Sequence, residues 1–248
     1  MNHPDRDKYD LSSMTDIAAG GAARPTSHVE RLKDSFTEAQ PALGYGLTET
    51  NAVGCGNFWS NYIDKPASTG RATAPYVELA ILGEGDRHLA TGERGEIGIK
   101  SAANISGYWR NPEATAAAFT ADHFLKTGDI GYLDEDGYLF IVDRKKDIII
   151  RGGENIAAAE VEAAIYACSG VAEVSVFGIP DERLGEVVLA VVHPAETDGI
   201  DEDALRQFLD GKLAAYKIPE RMIFTDEALP RLGTGKIDRV VLKQKYAH

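Results

Sequence analysis

Residues 186–194 read EVVLAVVHP, in which six consecutive side chains are apolar. A strand without polar alternation is typical of a central strand that is buried on both faces. The neighbouring segments IAAAEVEAAIYACSG and DEDALRQFLDGKLAAYKIP each place their apolar residues on one helical face. Residues 144–248 are therefore predicted to form a small α+β domain of about one hundred residues, within the usual domain size.

Two other patterns occupy residues 1–143. TDIAAGGAA predicts a short buried strand that ends in a glycine turn, PTSHVERLKDSF predicts a helix, and PALGYGLTETNAVGC predicts a strand followed by a glycine-rich loop. This alternation predicts an α/β segment at residues 1–65. Residues 66–143 contain short alternating runs such as VELAIL and GYLFIV between Gly, Asp and Glu turns, which predict a small distorted β-barrel or sandwich.

Composition narrows the classes of partner. A formal net charge of −13 argues against nucleic acid or an anionic membrane, so a phosphate-bearing ligand requires local positive groups. The two cysteines, Cys55 and Cys168, lie in unrelated contexts, which predicts free thiols in a reducing compartment. The sequence shows neither a signal peptide nor an apolar run of membrane-spanning length, and we expect a cytoplasmic location.

Residues 229–239, LPRLGTGKIDR, place Lys236 between glycines, as a phosphate-binding loop does. A P-loop requires a glycine five residues before its Gly-Lys pair and a Ser or Thr directly after it. Here Pro230 and Ile237 occupy those positions, so the segment is not a P-loop. Taken alone, it is explained by a surface turn.

Four segments nevertheless occur in a recognisable order: GYGLTET, KTGDIGYLDEDGYLFIVDRKKDIIIRGGENI, VFGIPDERLGEVV and LPRLGTGKIDR. Together they resemble the carboxyl-terminal part of the acyl-adenylate-forming (AMP-binding) enzymes, in particular acyl-CoA synthetases of the fatty-acid–CoA ligase type. GEIGIKSAANISGYWRNPEATAAAF is similar to the linking segment of that family. The resemblance implies an α/β and β-barrel-like remnant of the large domain at residues 1–143, followed by a small mobile α+β domain.

The resemblance also implies a reaction. Members of this family activate a carboxylic acid with ATP and Mg²⁺ as acyl-AMP, and then transfer the acyl group to CoA. Lys236 corresponds to the lysine that stabilises charge while the carboxylate and the α-phosphate approach each other. Thr48 and Glu49 correspond to the residues that meet the phosphate and the magnesium ion, a cation that prefers oxygen ligands.

Further residues correspond to binding positions. Asp129 matches the carboxylate that accepts hydrogen bonds from the ribose hydroxyls, and Arg144 matches a second ribose or phosphate contact. Gly152 and Gly153 match the loop that lines the pantetheine path of CoA, and Lys146 matches the hinge of the small domain. The positions implied to lie beside the adenine base are Gly21, Ala22 and Tyr45.

One family motif is missing from the printed sequence. The Ser/Thr/Gly-rich phosphate loop with its following Pro-Lys-Gly does not occur in the 43 residues before Gly44. We therefore expect a fragment of an acid–thiol ligase that does not form acyl-AMP by itself. We also expect apolar surface that favours a homodimer.

Two alternatives to this interpretation stay open. The chain could be a non-catalytic binding or regulatory module that has a ligase-like fold. It could also belong to an adenylation enzyme that loads a carrier protein. Under the family resemblance, the spacing of Pro230 and Lys236 further predicts a lysine acetyltransferase that acts on Lys236, because acetylation removes the positive charge.

Overall fold

The computed structural model describes residues 5–21, 26–36, 38–195 and 200–247. The chain divides into two compact units, Met1–Ile141 and Val142–His248. Each unit has its own sheets and its own buried apolar clusters. No helix in these four ranges is both long and apolar enough to cross a lipid bilayer.

The first unit opens with a parallel strand pair. β1 (Asp16–Gly20) lies beside β2 (Gln40–Tyr45), and α1 (Thr26–Ser35) connects them in sequence. Val29 of α1 packs against Leu43 of β2, which fits the apolar spacing in the predicted helix. Antiparallel strands extend the sheet in the order β1-β2-β3-β4. The elements that follow β2 are β3 (Cys55–Phe58), α2 (Ser60–Asp64) and β4 (Arg71–Ala72).

β1 differs from the buried strand that was predicted. Its residues alternate between exposed and half-buried from Asp16 to Gly20. The physical reason is its place at the edge of the sheet, where β2 is its only neighbouring strand among the described residues. A run of small apolar residues such as IAAG is thus compatible with an edge strand as well as with a central one.

A second sheet forms the rest of the first unit. Its order is β5-β6-β7-β8, and α3 (Pro112–Ala118) lies between β6 and β7 in sequence, with the Asn111 side chain as its N-cap. Residues 66–143 are all described, and their four-strand sheet is open rather than closed into a barrel. Small closed barrels have about eight strands, so four strands are too few to close. The strands are β5 (Val77–Leu82), β6 (Gly95–Ser101), β7 (Leu125–Leu133) and β8 (Leu139–Arg144).

The second unit is built around the strand that contains the six apolar residues. The strands are β9 (Ile148–Arg151), β10 (Glu154–Ala157), β11 (Val171–Asp181), β12 (Gly185–Pro194) and β13 (Arg221–Phe224). β12 pairs with β11 and β9 in antiparallel fashion and with β13 in parallel, so its predicted central position is confirmed. The helices are α4 (Ala158–Tyr166), α5 (Glu202–Leu209) and α6 (Arg239–Tyr246).

Alternate residues of β12 enter two different cores. The side chains of Val188, Ala190 and Val192 join a cluster with residues of α4 and α5. Those of Val187, Leu189 and Val191 join a second cluster, which includes Leu229 and Leu242 of the chain's last segment. Because successive side chains of a strand point to opposite faces, two covered faces require an uninterrupted apolar run.

Candidate functional site

Two motifs that lie 84 residues apart meet in the first unit. The Tyr45 hydroxyl, at the end of β2, donates a hydrogen bond to Asp129 Oδ2 on β7 at 2.7 Å. Asp129 is buried, with 6% of its surface exposed, and its backbone N–H donates to Thr127 Oγ1 at 3.1 Å. Burial, and after it the Asp129 carboxylate, raises the pKa of Tyr45 above its usual value. The phenol therefore stays protonated and can act as a donor to this carboxylate.

Thr48 and Glu49 lie on a short 3₁₀ turn, Thr48–Thr50, directly after β2. Thr48 is exposed and Glu49 is half-buried. The Tyr108 hydroxyl donates to Glu49 Oε1 at 3.0 Å, and the Ile105 N–H donates to the Glu49 carbonyl at 2.8 Å. Burial and then the Glu49 carboxylate raise the pKa of Tyr108. The turn is thereby attached to the segment that follows β6.

The backbone around this turn is tightly folded. Asn51 and Ala52 both adopt left-handed conformations, with φ of 49° and 61°. A Cβ atom placed on Gly46 would lie 2.5 Å from the carbonyl carbon of Ala52, which is closer than non-bonded atoms approach. Gly46 is therefore required by the close approach of two backbone segments, and the exposed Thr48 lies between them in sequence.

The candidate magnesium ligand can be tested against the side chains around it. The described residues contain no cluster of three or more His, Cys, Asp or Glu side chains that could hold a metal ion. A magnesium ion bound with a nucleotide needs only one or two carboxylates, because phosphate oxygens and water supply its other ligands. Glu49 presents one half-buried carboxylate that Tyr108 orients, and this fits such an ion.

The predicted adenine contacts are described only in part. Gly21 directly follows β1, is exposed, and has a φ of 79°. Ala22 lies outside the described residues. Tyr45 is half-buried beside Asp129, as given above.

In the second unit, Arg144 and Lys146 are both exposed. Lys146 is the middle residue of a 3₁₀ turn, Lys145–Asp147, which connects β8 and β9. The turn is bordered by Asp143, a buried carboxylate that accepts hydrogen bonds from the backbone N–H groups of Arg144 and Ala159. Desolvation outweighs these hydrogen bonds and raises the pKa of Asp143.

Gly152 and Gly153 form the two-residue turn of the β9–β10 hairpin. Their φ angles are 59° and 88°, and such a pair of positive φ values belongs to a tight hairpin turn that glycine adopts without strain. The Gly152 N–H donates to the Leu184 carbonyl at 2.7 Å. Hairpin geometry is thus sufficient to explain both glycines, and their CoA-binding role stays a prediction.

Lys236 lies on a tight hairpin near the chain end. The Leu232 N–H donates to the Lys236 carbonyl, and the Gly235 N–H donates to the Leu232 carbonyl, both at 2.8 Å. Lys236 is exposed, and its amino group has no hydrogen bond or ion pair with the residues that the structure describes. The cation is therefore available to a ligand.

Sequence reasoning missed three side chains that contact predicted residues or their turns. Tyr108 holds Glu49, Arg231 holds the Lys236 hairpin, and Arg239 holds the turn that contains Lys146. All three lie inside segments that carry the family resemblance, but no linear pattern shows their partners. Only the order of the motifs could have directed attention to them.

Comparisons with known proteins fit this arrangement. The family model described as "AMP-binding enzyme" matches residues 1–109, and the one described as "AMP-binding enzyme C-terminal domain" matches residues 160–236. This chain belongs to the AMP-binding enzyme family. The family resemblance predicted from the four ordered segments is confirmed.

Individual family members are similar over nearly the whole chain. The long-chain-fatty-acid–CoA ligase FadD13 of Mycobacterium tuberculosis is 38% identical over 244 residues, which cover 98% of this chain and 47% of the relative. A long-chain-fatty-acid–CoA ligase of Bacillus subtilis is 41% identical, over 96% of this chain and 42% of its own. The chain spans about half the length of the curated relatives it matches.

The fold is shared with solved structures of the family. ATP-bound MatB from Rhodopseudomonas palustris superimposes with a TM-score of 0.85 at 36% identity, over 93% of this chain and 45% of that one. This match confirms the predicted mixed α/β and α+β fold class, with the second sheet of the first unit open.

Proposed function

We propose that this chain provides nucleotide-binding and catalytic residues of an AMP-forming acid–thiol ligase, an acyl-CoA synthetase for carboxylic acids of the fatty-acid class. Membership of the AMP-binding family and the similarity to long-chain-fatty-acid–CoA ligases support this reaction class. The observation that carries the proposal is the 2.7 Å hydrogen bond between Tyr45 and Asp129. It brings an aromatic ring and an acceptor carboxylate into contact, as the adjoining base and sugar of one nucleoside require.

In the first half-reaction, a carboxylate oxygen of the acid attacks the α-phosphorus of ATP, and the bond to pyrophosphate breaks. Two anions must approach each other, so a nearby cation stabilises the transition state. Lys236 supplies that cation, and its unpaired, exposed amino group supports this role. The Thr48 hydroxyl donates to a phosphate oxygen, and Arg144 contacts the ribose or a phosphate.

Magnesium fits the turn that carries Glu49. Glu49 would hold the ion, and Tyr108 keeps the Glu49 carboxylate oriented. When bound, the ion neutralises negative charge on the phosphates. Gly21 offers a backbone group to the adenine base, and Ala22 is proposed for the same role.

In the second half-reaction, the CoA sulfur attacks the acyl carbonyl carbon, and the bond between that carbon and the AMP oxygen breaks. Gly152 and Gly153 lack side chains and leave space for the narrow pantetheine chain. Lys146 is the hinge residue between the half-reactions, and its position in a short turn between two strands supports this role.

Partners and location complete the proposal. The exposed Lys236 is a substrate for a lysine acetyltransferase, which would cancel its charge. Phe58 and Trp59, which are 51% and 54% exposed, favour a homodimer. The two buried free thiols support a reducing, cytoplasmic environment.

AMP binding to the purified chain, measured by isothermal titration calorimetry, tests the proposal. We expect the wild-type chain to bind AMP and Asp129→Asn to bind it at least about tenfold more weakly, because a hydrogen bond to a charged group is worth roughly 1.5–3 kcal/mol. Asp64→Asn, which changes an exposed carboxylate on α2, is the matched control and should bind like the wild type. A wild-type chain that shows no AMP binding at millimolar concentration would contradict the proposal. Unchanged AMP binding by Asp129→Asn would mean that Asp129 does not contact the nucleotide.

A further inference from the structure

An arginine links the Lys236 hairpin to the sheet of the second unit. Arg231 Nη1 donates to the Gly235 carbonyl at 2.6 Å, across the open side of the hairpin. Its Nη2 donates to Glu173 Oε1 on β11. One guanidinium therefore connects the residue before Lys236 to a strand of the central sheet.

The carboxylate that receives this arginine is itself fixed. The Glu173 side chain is 15% exposed, and its Oε2 accepts a hydrogen bond from the Leu229 N–H at 2.6 Å. Leu229 is buried in the apolar cluster that includes alternate residues of β12. Burial disfavours the ionised form of Glu173, but the hydrogen bonds from Arg231 and Leu229 outweigh it and lower the pKa of Glu173. The anchor is thus a charged group with a defined orientation at neutral pH.

The hairpin and the Lys236 side chain differ in how they are held. The hairpin has three internal backbone hydrogen bonds and the Arg231 contact, whereas the amino group of Lys236 has no partner in the described part of the chain. We propose that Arg231 is a positioning residue, which keeps the Lys236 hairpin rigid on β11. Lys236 then reaches its substrate by rotation of its own side chain, without deformation of the hairpin. This inference rests on the proposed role of Lys236 in acyl-AMP formation.

The two contacts of Arg231 require a guanidinium. Its nitrogens are held in one plane and can serve two acceptors at once, while a lysine ammonium acts as a single charged point on a flexible stem. Arg231→Lys should keep the attraction to Glu173 and lose the simultaneous bond to the Gly235 carbonyl. The conservative variant therefore separates stabilisation of the unit from positioning of the hairpin.

Amide hydrogen exchange of the full chain, resolved by NMR, tests the inference. The Gly235 amide donates to the Leu232 carbonyl, so its exchange reports on opening of the hairpin. In Arg231→Gln we expect this amide to exchange about tenfold faster, because the hairpin loses the bond from Arg231 to the Gly235 carbonyl, and a tenfold change corresponds to one typical hydrogen bond. The amides of β12 should keep their wild-type rates. Arg231→Lys should show the same increase at Gly235 while its thermal unfolding midpoint stays at the wild-type value.

Arg206→Gln is the matched control. Arg206 also bonds one carboxylate, that of Glu202, and one carbonyl, that of Glu220, but it lies on α5. We expect no change at Gly235 in this variant. If Arg231→Gln does not fold, Glu173→Gln removes the charge of the anchor and should accelerate exchange at Gly235 in the same way.

Two outcomes would overturn the positioning role. One is an unchanged Gly235 rate in the Arg231 and Glu173 variants. The other is an equal acceleration at Gly235 and throughout β12, which would mean that Arg231 only stabilises the unit. Failure of AMP binding in the calorimetric test would leave these exchange rates unaffected, so the two proposals fail separately. Lys236→Ala should retain the wild-type rate at Gly235.

Discussion

The Arg239 guanidinium donates to the Asp147 carboxylate at 2.9 Å and so joins the first turn of α6 to the turn that contains Lys146. Its second nitrogen donates to Glu162 Oε1 on α4 at 2.7 Å. Burial disfavours the charge of Arg239, but the surrounding carboxylates outweigh this effect and raise its pKa. The predicted hinge turn is therefore connected to two helices of the second unit through one residue.

Arg239→Gln should destabilise the second unit. The substitution leaves Glu162, whose side chain is 17% exposed, without a cationic partner. Removal of one partner of a buried pair costs about 3 kcal/mol. Urea unfolding measures the loss, and Arg206→Gln, which removes an exposed pair on α5, should cost less than about 1 kcal/mol. Equal losses in the two variants would contradict a structural role for the Arg239 pair.

The anchor of the Lys236 hairpin should weaken in acid. The pKa of Glu173 in the folded chain lies below its usual value of 4.5, so its contribution to stability is present above pH 4.5 and is lost as the pH falls through the folded pKa. Arg231 and His193 are among the groups that lower the pKa of this carboxylate. The Glu173→Gln variant should therefore be less stable than the wild type above pH 4.5. The difference between their unfolding free energies should shrink as the pH falls below 4.5.

Unfolding free energies on both sides of that pH measure the effect. The control is Glu182→Gln, a change at an exposed residue of the loop between β11 and β12. The pH dependence of its unfolding free energy should parallel that of the wild type. A Glu173→Gln deficit that stays constant across the acidic range would disprove the linkage.

Gly46 and Gly44 form a matched pair for the turn that carries Thr48 and Glu49. A Cβ on Gly46 would collide with the backbone of Ala52, whereas a Cβ on Gly44 would meet nothing within 4 Å. Gly46→Ala should destabilise the first unit by about 1–3 kcal/mol, the usual cost of overpacking. Gly44→Ala should stay within about 0.5 kcal/mol of the wild type, as substitutions away from such contacts do. Urea unfolding compares the two, and equal stability of both variants would refute the close approach.

The 248-residue chain should not catalyse ATP–pyrophosphate exchange with fatty or aryl acids. The reason is that the printed sequence lacks the family's phosphate loop, and loss of even one preorganised donor costs roughly 10²–10³-fold in rate. A full-length relative assayed in parallel shows that the assay works. Robust exchange by the purified chain would overturn this expectation.

The fold was easiest to predict from the sequence where a strand is buried on both of its faces. The apolar run of β12 predicted a central strand, and in the structure each of its faces is covered by a separate core. The sequence predicted β1 less well, since short apolar residues such as Ala18 and Ala19 suit an edge strand equally. For residues 66–143 it left a distorted barrel and a sandwich open, because the alternation of β5 and β6 reveals two faces but not the number of strands in the sheet or whether the sheet closes.

The residues of the candidate site were likewise predictable from the sequence only in part. Motif order picked out Tyr45 and Asp129, and the structure brings these two into contact. It could not find Arg231 or Tyr108, because their partners are distant in sequence or are backbone carbonyls. Such contacts depend on the register and twist of the finished sheets. In the sequence, a charged residue looks the same whether its side chain faces solvent or bonds a turn.

β12 has a consequence for how the second unit melts. Its odd-numbered residues from Val187 to Val191 and its even-numbered residues from Val188 to Val192 belong to different cores, yet they share one backbone. Displacement of β12 would remove three buried residues from each core at once. Elements connected in this way behave as one cooperative unit. We therefore expect the unit to lose both cores in a single transition, without a stable half-folded form in which only one core remains.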